Sequence, residues 1–124
     1  MVYPALHAVV ETPEYLSRAE SLLSEAERAA FADWIAAHPT AGDLIPGTGG
    51  ARKVRWAAKG KGKRGGARVI TYFAGQSMPV FLLSVFAKGQ QADLAMAERN
   101  ALRAMLADMA NNYRKRGRRD VKGR

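Results

Sequence analysis

The chain contains no cysteine. Disulfides, thiolate nucleophiles and cysteine-bound metals are thereby excluded. Histidine is nearly absent too: His7 and His38 stand far apart, so no zinc site is expected, and no metal or cofactor is expected at all. One isolated imidazole on a strand (His7) and one in a helix C-terminal turn (His38) carry little catalytic weight. No apolar run approaches the roughly 18 residues of a membrane helix. The N-terminus lacks a charged segment followed by an apolar one, so no secretory leader is expected. These absences lead to the expectation of a cytoplasmic protein that does not engage a membrane. Acidic residues are also scarce, with 11 Asp and Glu against 20 Lys and Arg and a net charge of +9.

What is present suits one folded domain. A length of 124 residues and 48% hydrophobic content support a single core. The positive charge is unevenly placed. From Arg52 to Arg68 there are eight basic residues and no acidic one. From Tyr113 to Arg124 there are seven basic residues and Asp120. The remainder holds five basic and ten acidic residues, so two cationic patches sit on a mildly acidic body. That asymmetry points to a polyanionic partner.

The element pattern is α+β, with the order β-α-α-β-β-β-α. A first strand is expected over Ala5 to Val10. Thr12-Pro13-Glu14 then supplies an N-cap, a proline at the first helical position and an acid in the first turn. Tyr15, Leu16, Ala19, Leu22 and Leu23 follow at helical spacing. Ser24-Glu25-Ala26-Glu27 is a capping box that starts a second helix, which Pro39 stops. Thr40 to Gly50 reads as a loop pinned to the core by Leu44 and Ile45, its glycines serving a tight turn and not a phosphate loop. Strands are expected over Ala51 to Ala57, Ala67 to Phe73 and Met78 to Ala87. The last is nearly all apolar and therefore interior, covered on both faces. A final helix opens near Asp93 and ends at Gly117. The expected product is a small antiparallel sheet with helices on one face and the other face partly open. Residues 1–112 form the domain, and 113–124 form a basic tail expected to be flexible.

Strand alternation sorts the basic segment. Val54 and Trp56 share a core face, and Lys53 and Arg55 share the other. Pairing of the hairpin places Arg68, with Ile70 and Tyr72, beside them. Lys88 follows the last strand at the rim. Convergent cations of this kind can hold a phosphodiester and stabilise charge developing on it. The same residues also suit a solvated, solubilising face. Lys59, Lys61, Lys63 and Arg64 lie in the Gly-rich connection between the two strands, where they can follow a nucleic-acid backbone. Tyr72, Arg114 and Arg116 are further candidates for RNA contact.

Three runs resemble a known family: Gly42-Asp43-Leu44-Ile45-Pro46-Gly47-Thr48-Gly49-Gly50, then Arg52-Lys53-Val54-Arg55-Trp56, then Lys59 to Ile70. Phe86-Ala87-Lys88 and Ala92-Asp93-Leu94 add to them. The likeness, over roughly residues 8 to 110, is to the RelE/ParE superfamily of type II toxins, closest to its HigB-like branch. The resemblance implies a microbial-RNase-like fold. It implies ribosome-dependent cleavage of mRNA by attack of a ribose 2′-OH on the adjacent phosphate, leaving a cyclic phosphate. Its implied catalytic set is Lys53, Arg55, Arg68 and Lys88. Lys53 would be the base if its cationic neighbours favour the neutral amine, Arg55 and Arg68 would stabilise the phosphorane, and Lys88 would serve the leaving oxygen. The implied partners are the ribosome with its mRNA and a HigA-like helix-turn-helix antitoxin, with operator DNA reached only through that antitoxin. This chain departs from the pattern where family members carry a Tyr or His near the C-terminal end: six residues after Lys88 stands Leu94, leaving Tyr72 or Tyr113 to take that place. A ParE-like gyrase inhibitor and a non-catalytic RNA-binding protein of the same fold are the alternatives.

Overall fold

The computed structural model describes residues 6–58, 66–89 and 96–122, with side chains of the last helix described from Arg99 to Asn112. Its elements are β1 (Val9–Glu11), α1 (Pro13–Leu22), α2 (Glu25–Ala37), β2 (Asp43–Leu44), β3 (Ala51–Trp56), β4 (Ala67–Phe73), β5 (Val80–Ala87) and α3 (Met96–Lys122). The α+β class and the element order follow the sequence pattern, with one added strand, β2. Among the described residues no helix is long and apolar enough to cross a membrane.

Local chemistry sets the helix boundaries. The Thr12 hydroxyl accepts from the Tyr15 N–H at 3.4 Å and donates to the Leu82 carbonyl at 2.8 Å. One side chain therefore both starts α1 and ties it to β5. Ser24 and Glu27 form the reciprocal capping box: the Glu27 N–H donates to Ser24 Oγ at 3.1 Å, and the Ser24 N–H to Glu27 Oε1 at 2.8 Å. The last helix departs from expectation, running through Gly117 to Lys122. One glycine costs about 1 kcal/mol in a helix, and the Arg and Lys around it are good helix formers.

The five strands lie in the order β1-β5-β4-β3-β2. β2 to β5 pair antiparallel with their neighbours, but β1 pairs parallel with β5, through Val9↔Val80. The sheet is thus mixed, not wholly antiparallel. From β1 the chain passes through α1 and α2 to β2 at the opposite edge and returns by β3 and β4 to β5, so the parallel neighbours are joined by a long connection and not by a tight turn. β1 is also shorter and later than expected.

Two cores flank the sheet. Tyr15, Ala19, Phe31 and Ile35 of α1 and α2 pack on Val54, Val69, Val80, Leu82 and Val85. On the other face Leu102, Leu106 and Met109 of α3 pack with Ile70, Tyr72, Phe81, Leu83 and Phe86. The second face is therefore not left open along its length, because α3 crosses it. β5 is buried from Val80 to Phe86 and lies inside the sheet, as its apolar run requires. A β-bulge breaks the register between Ile70 and Thr71 of β4: Ile70 faces Ser84 and Thr71 faces Leu82, leaving Leu83 of β5 as the extra residue.

Tyr15 is wholly buried in the first core, and its hydroxyl has no hydrogen-bond partner among the described residues. Burial, reinforced by the Glu11 carboxylate and opposed by Arg28, pushes its pKa up from 10.0 to about 12. A raised pKa favours the neutral phenol in the folded state. The associated stability is complete below about pH 10 and is lost as pH rises towards about 12. Across that window the wild type is expected to lose about 2–3 kcal/mol relative to Tyr15→Phe. Urea unfolding of both proteins as a function of pH measures the difference, and parallel curves would contradict the assignment.

Candidate RNA-binding face

The β3–β4 register fixes the site. Arg55 pairs with Arg68, and Lys53 with Ile70. On the other side of β4, Arg68 pairs with Phe86 and Ile70 with Ser84. Directly paired residues share a face, so Lys53, Arg55 and Arg68 lie together on the α3 side of the sheet. Arg55 is exposed, while Lys53 and Arg68 are half-buried. Neighbouring strands are about 4.8 Å apart, so the two guanidinium groups rise from adjacent backbones. Like charges directly opposite in an antiparallel pair are destabilising. An anion bound between them would remove that penalty.

Lys88 stands at the rim of this face. It is exposed, and its backbone N–H donates to the Gly66 carbonyl at 3.1 Å, two residues before Arg68. The four cations singled out in the sequence are thus brought to one end of one sheet face. Tyr72 lies further along that face and is buried, stacked on Phe81 with ring centroids 6.4 Å apart. Lys59, Lys61, Lys63 and Arg64 lie outside the described residues, as do Asp93 and Leu94. Arg114 and Arg116 fall within α3, beyond its described side chains.

Two residues of this region were not legible beforehand. Arg18, on α1, places its guanidinium carbon 4.7 Å from the centre of the ring of Phe86, the β5 partner of Arg68. Asp43, on β2, pairs with Lys53. The segment from Arg52 to Arg68 has no acid of its own, but the fold supplies one from the neighbouring strand. A two-residue strand inside a Gly-rich loop leaves no periodic signal, so Asp43 could not be placed from sequence.

The loop after β2 anchors α3. Thr48 is wholly buried; its hydroxyl donates to the Ile45 carbonyl at 2.7 Å and accepts from the Ala51 N–H at 3.0 Å. Arg99 and Arg103 donate to the carbonyls of Pro46 and Gly47 at 3.1 and 3.0 Å. These bonds tie the helix to the loop, and its Leu102, Leu106 and Met109 pack in the cluster that holds Tyr72 and Ile70. The histidines lie elsewhere. His38 stacks on Trp34 at 4.5 Å, and His7 meets Phe73 edge-on at 4.8 Å. His7 also lines a shallow groove of about 400 Å³ with Leu6, Val10, Gln76, Met78 and Pro79, near the start of β5 and away from the cations at its end.

Residues 36–120 match the family model described as the RelE toxin of the RelE / RelB toxin-antitoxin system. The match takes in β2 to β5 and thus all four cations, and it begins near the end of α2.

Gly42 sets the position of Lys53. Its φ is +90°, and a Cβ there would lie 2.6 Å from the Lys53 carbonyl oxygen and 2.8 Å from Val54 Cγ2. Backbone strain and collision act together. Gly42→Ala is expected to destabilise the fold by about 2–4 kcal/mol. Chemical denaturation would measure it, and a change below about 0.5 kcal/mol would show that β2 and β3 are not packed as described.

Proposed function

Because the chain belongs to the RelE toxin family, and so is a toxin with a cognate antitoxin, we propose that it is a ribosome-dependent mRNA endonuclease that blocks translation in the cytoplasm. The observation that carries this reading is the pairing of Arg55 with Arg68, flanked by Lys53 and Lys88 on one face. The motif run from Gly42 to Ile70 supports placing it in the HigB-like branch, with a HigA-like helix-turn-helix antitoxin as its partner.

The chemistry follows from charge. Attack of a 2′-OH on the adjacent phosphate places additional negative charge on the non-bridging oxygens. Arg55 and Arg68 rise from adjacent strands and can donate N–H bonds to both of those oxygens. Lys53, one alternate position along β3, adds a third positive charge. Lys88 at the rim would protonate the departing 5′ oxygen. Such a site stabilises the transition state but does little to align a flexible strand. Holding the mRNA in line falls to the ribosome, and that division of labour makes the enzyme ribosome-dependent. Lys59, Lys61, Lys63 and Arg64, with Arg114 and Arg116 of the tail, would contact ribosomal or messenger RNA phosphates. Tyr72 supports the face from within.

Expression without antitoxin is expected to arrest growth and translation, and Arg68→Ala is expected to relieve the arrest while remaining folded. Losing one charge-assisted donor at the phosphorane costs about 2–4 kcal/mol, or roughly 30- to 1,000-fold in rate. Pulse labelling of new protein, beside a melting curve of the variant, checks both halves. Full toxicity from a folded Arg68→Ala protein, with DNA gyrase inhibited instead, would replace this reading with a ParE-like one.

A further inference from the structure

We propose that Asp43, not Lys53, is the base that takes the proton from the attacking 2′-OH, and that it works opposite Lys88. The inference rests on the nuclease reading above. Three observations place Asp43 on the cationic face. It pairs with Lys53 across β2 and β3, so the two share a side of the sheet, with Cβ atoms about 5 Å apart. Ile45, two residues on, packs into the core beneath α3, on that same side. Asp43 is exposed, and among the described residues no hydrogen bond or ion pair engages its side chain. Its carboxylate is therefore not tied up in a structural pair, unlike Glu11, the other acid on a strand, which meets Arg28 at 3.5 Å.

The chemistry favours the carboxylate. An ammonium carries three donors and no acceptor, so Lys53 as a cation cannot receive a proton. An ionised carboxylate is acceptor-only and can receive one at once. Position agrees with the demands of in-line displacement, in which base and acid must act on opposite sides of phosphorus. The sheet order sets Asp43 on β2, Lys53 and Arg55 on β3, Arg68 on β4, and Lys88 just past β5. Asp43, level with Lys53 and Ile70, and Lys88, level with Gly66, thus flank the arginine pair diagonally, three strand spacings across and four residues along, on the order of 19 Å before side chains reach inward.

The step balances as follows. The 2′-O–H bond breaks and its proton passes to an Asp43 carboxylate oxygen. The 2′-O–P bond forms and the P–O5′ bond breaks. The 5′ oxygen takes a proton from the Lys88 ammonium. A 2′,3′-cyclic phosphate and a 5′-OH result, and both side chains return to their starting states by exchange with water.

A carboxylate beside a bound phosphate has a second consequence: it weakens RNA binding while speeding cleavage. Removing it should move the two in opposite directions, which a merely structural role would not do. The test uses the full chain with mRNA on translating ribosomes, comparing wild type, Asp43→Asn and Asp43→Glu, with a melting curve for each. Asp43→Asn is expected to lower kcat at least about 100-fold with KM unchanged or reduced, and Asp43→Glu to recover part of the loss. A folded Asp43→Asn protein with wild-type kcat would overturn the assignment and leave the nuclease reading standing. A fall in kcat that comes only with a lowered melting temperature would overturn it as well, since Asp43 would then be structural. If the wild type itself cuts no mRNA on ribosomes, the nuclease reading fails and this inference falls with it.

Discussion

The pairing register of β3 with β4 is the constraint on which the rest of the structure depends. Val54 opposite Val69 faces α1 and α2, and Arg55 opposite Arg68 faces away from them. A slip of one residue would exchange the faces, driving guanidinium groups towards Tyr15 and Phe31 and exposing the valines. Burying even one unpaired charge costs far more than a β-hairpin can recover. The hydrophobic core on one side thus positions the cations on the other, without any contact between them. The same register places Lys53 next to β2 and Arg68 next to Phe86, so the whole site inherits its geometry from one hairpin.

Much of this was legible because it is local. Alternation across Arg52 to Trp56 and Arg68 to Phe73 is a two-residue period, readable along the chain. Capping at Thr12 and at Ser24 with Glu27 needs only three or four neighbouring residues. What escaped the sequence is non-local. The parallel pairing of Val9 with Val80 joins positions some 70 residues apart, and nothing near Val9 announces its partner. β2 is two residues long and exposed, so it has no apolar pattern to read. Gly117 reads locally as a helix stop, but the helix-forming residues on both sides of it carry α3 on to Lys122.

The site shows the same division. Lys53, Arg55 and Arg68 come together by strand parity, and Lys88 by its place just beyond β5. Asp43 and Arg18 reach the region through elements that sequence alone does not align with it: an edge strand and the first helix. Both also modify the electrostatic picture. The basic segment taken alone is a uniform cationic surface, suited to holding any polyanion. With a carboxylate on one flank and an aromatic ring beneath a guanidinium on the other, the surface acquires direction, and direction is what separates a nuclease from a phosphate-binding face.

The most direct measurement is primer extension on an mRNA incubated with the purified protein, with translating ribosomes and without them, followed by analysis of the new ends. The account predicts cuts within the reading frame in the presence of ribosomes, at least about 100-fold slower cutting of free mRNA, and products ending in a cyclic phosphate and a 5′-OH. Equal cutting of free and ribosome-bound mRNA would contradict it, and so would products ending in a 3′-OH and a 5′-phosphate.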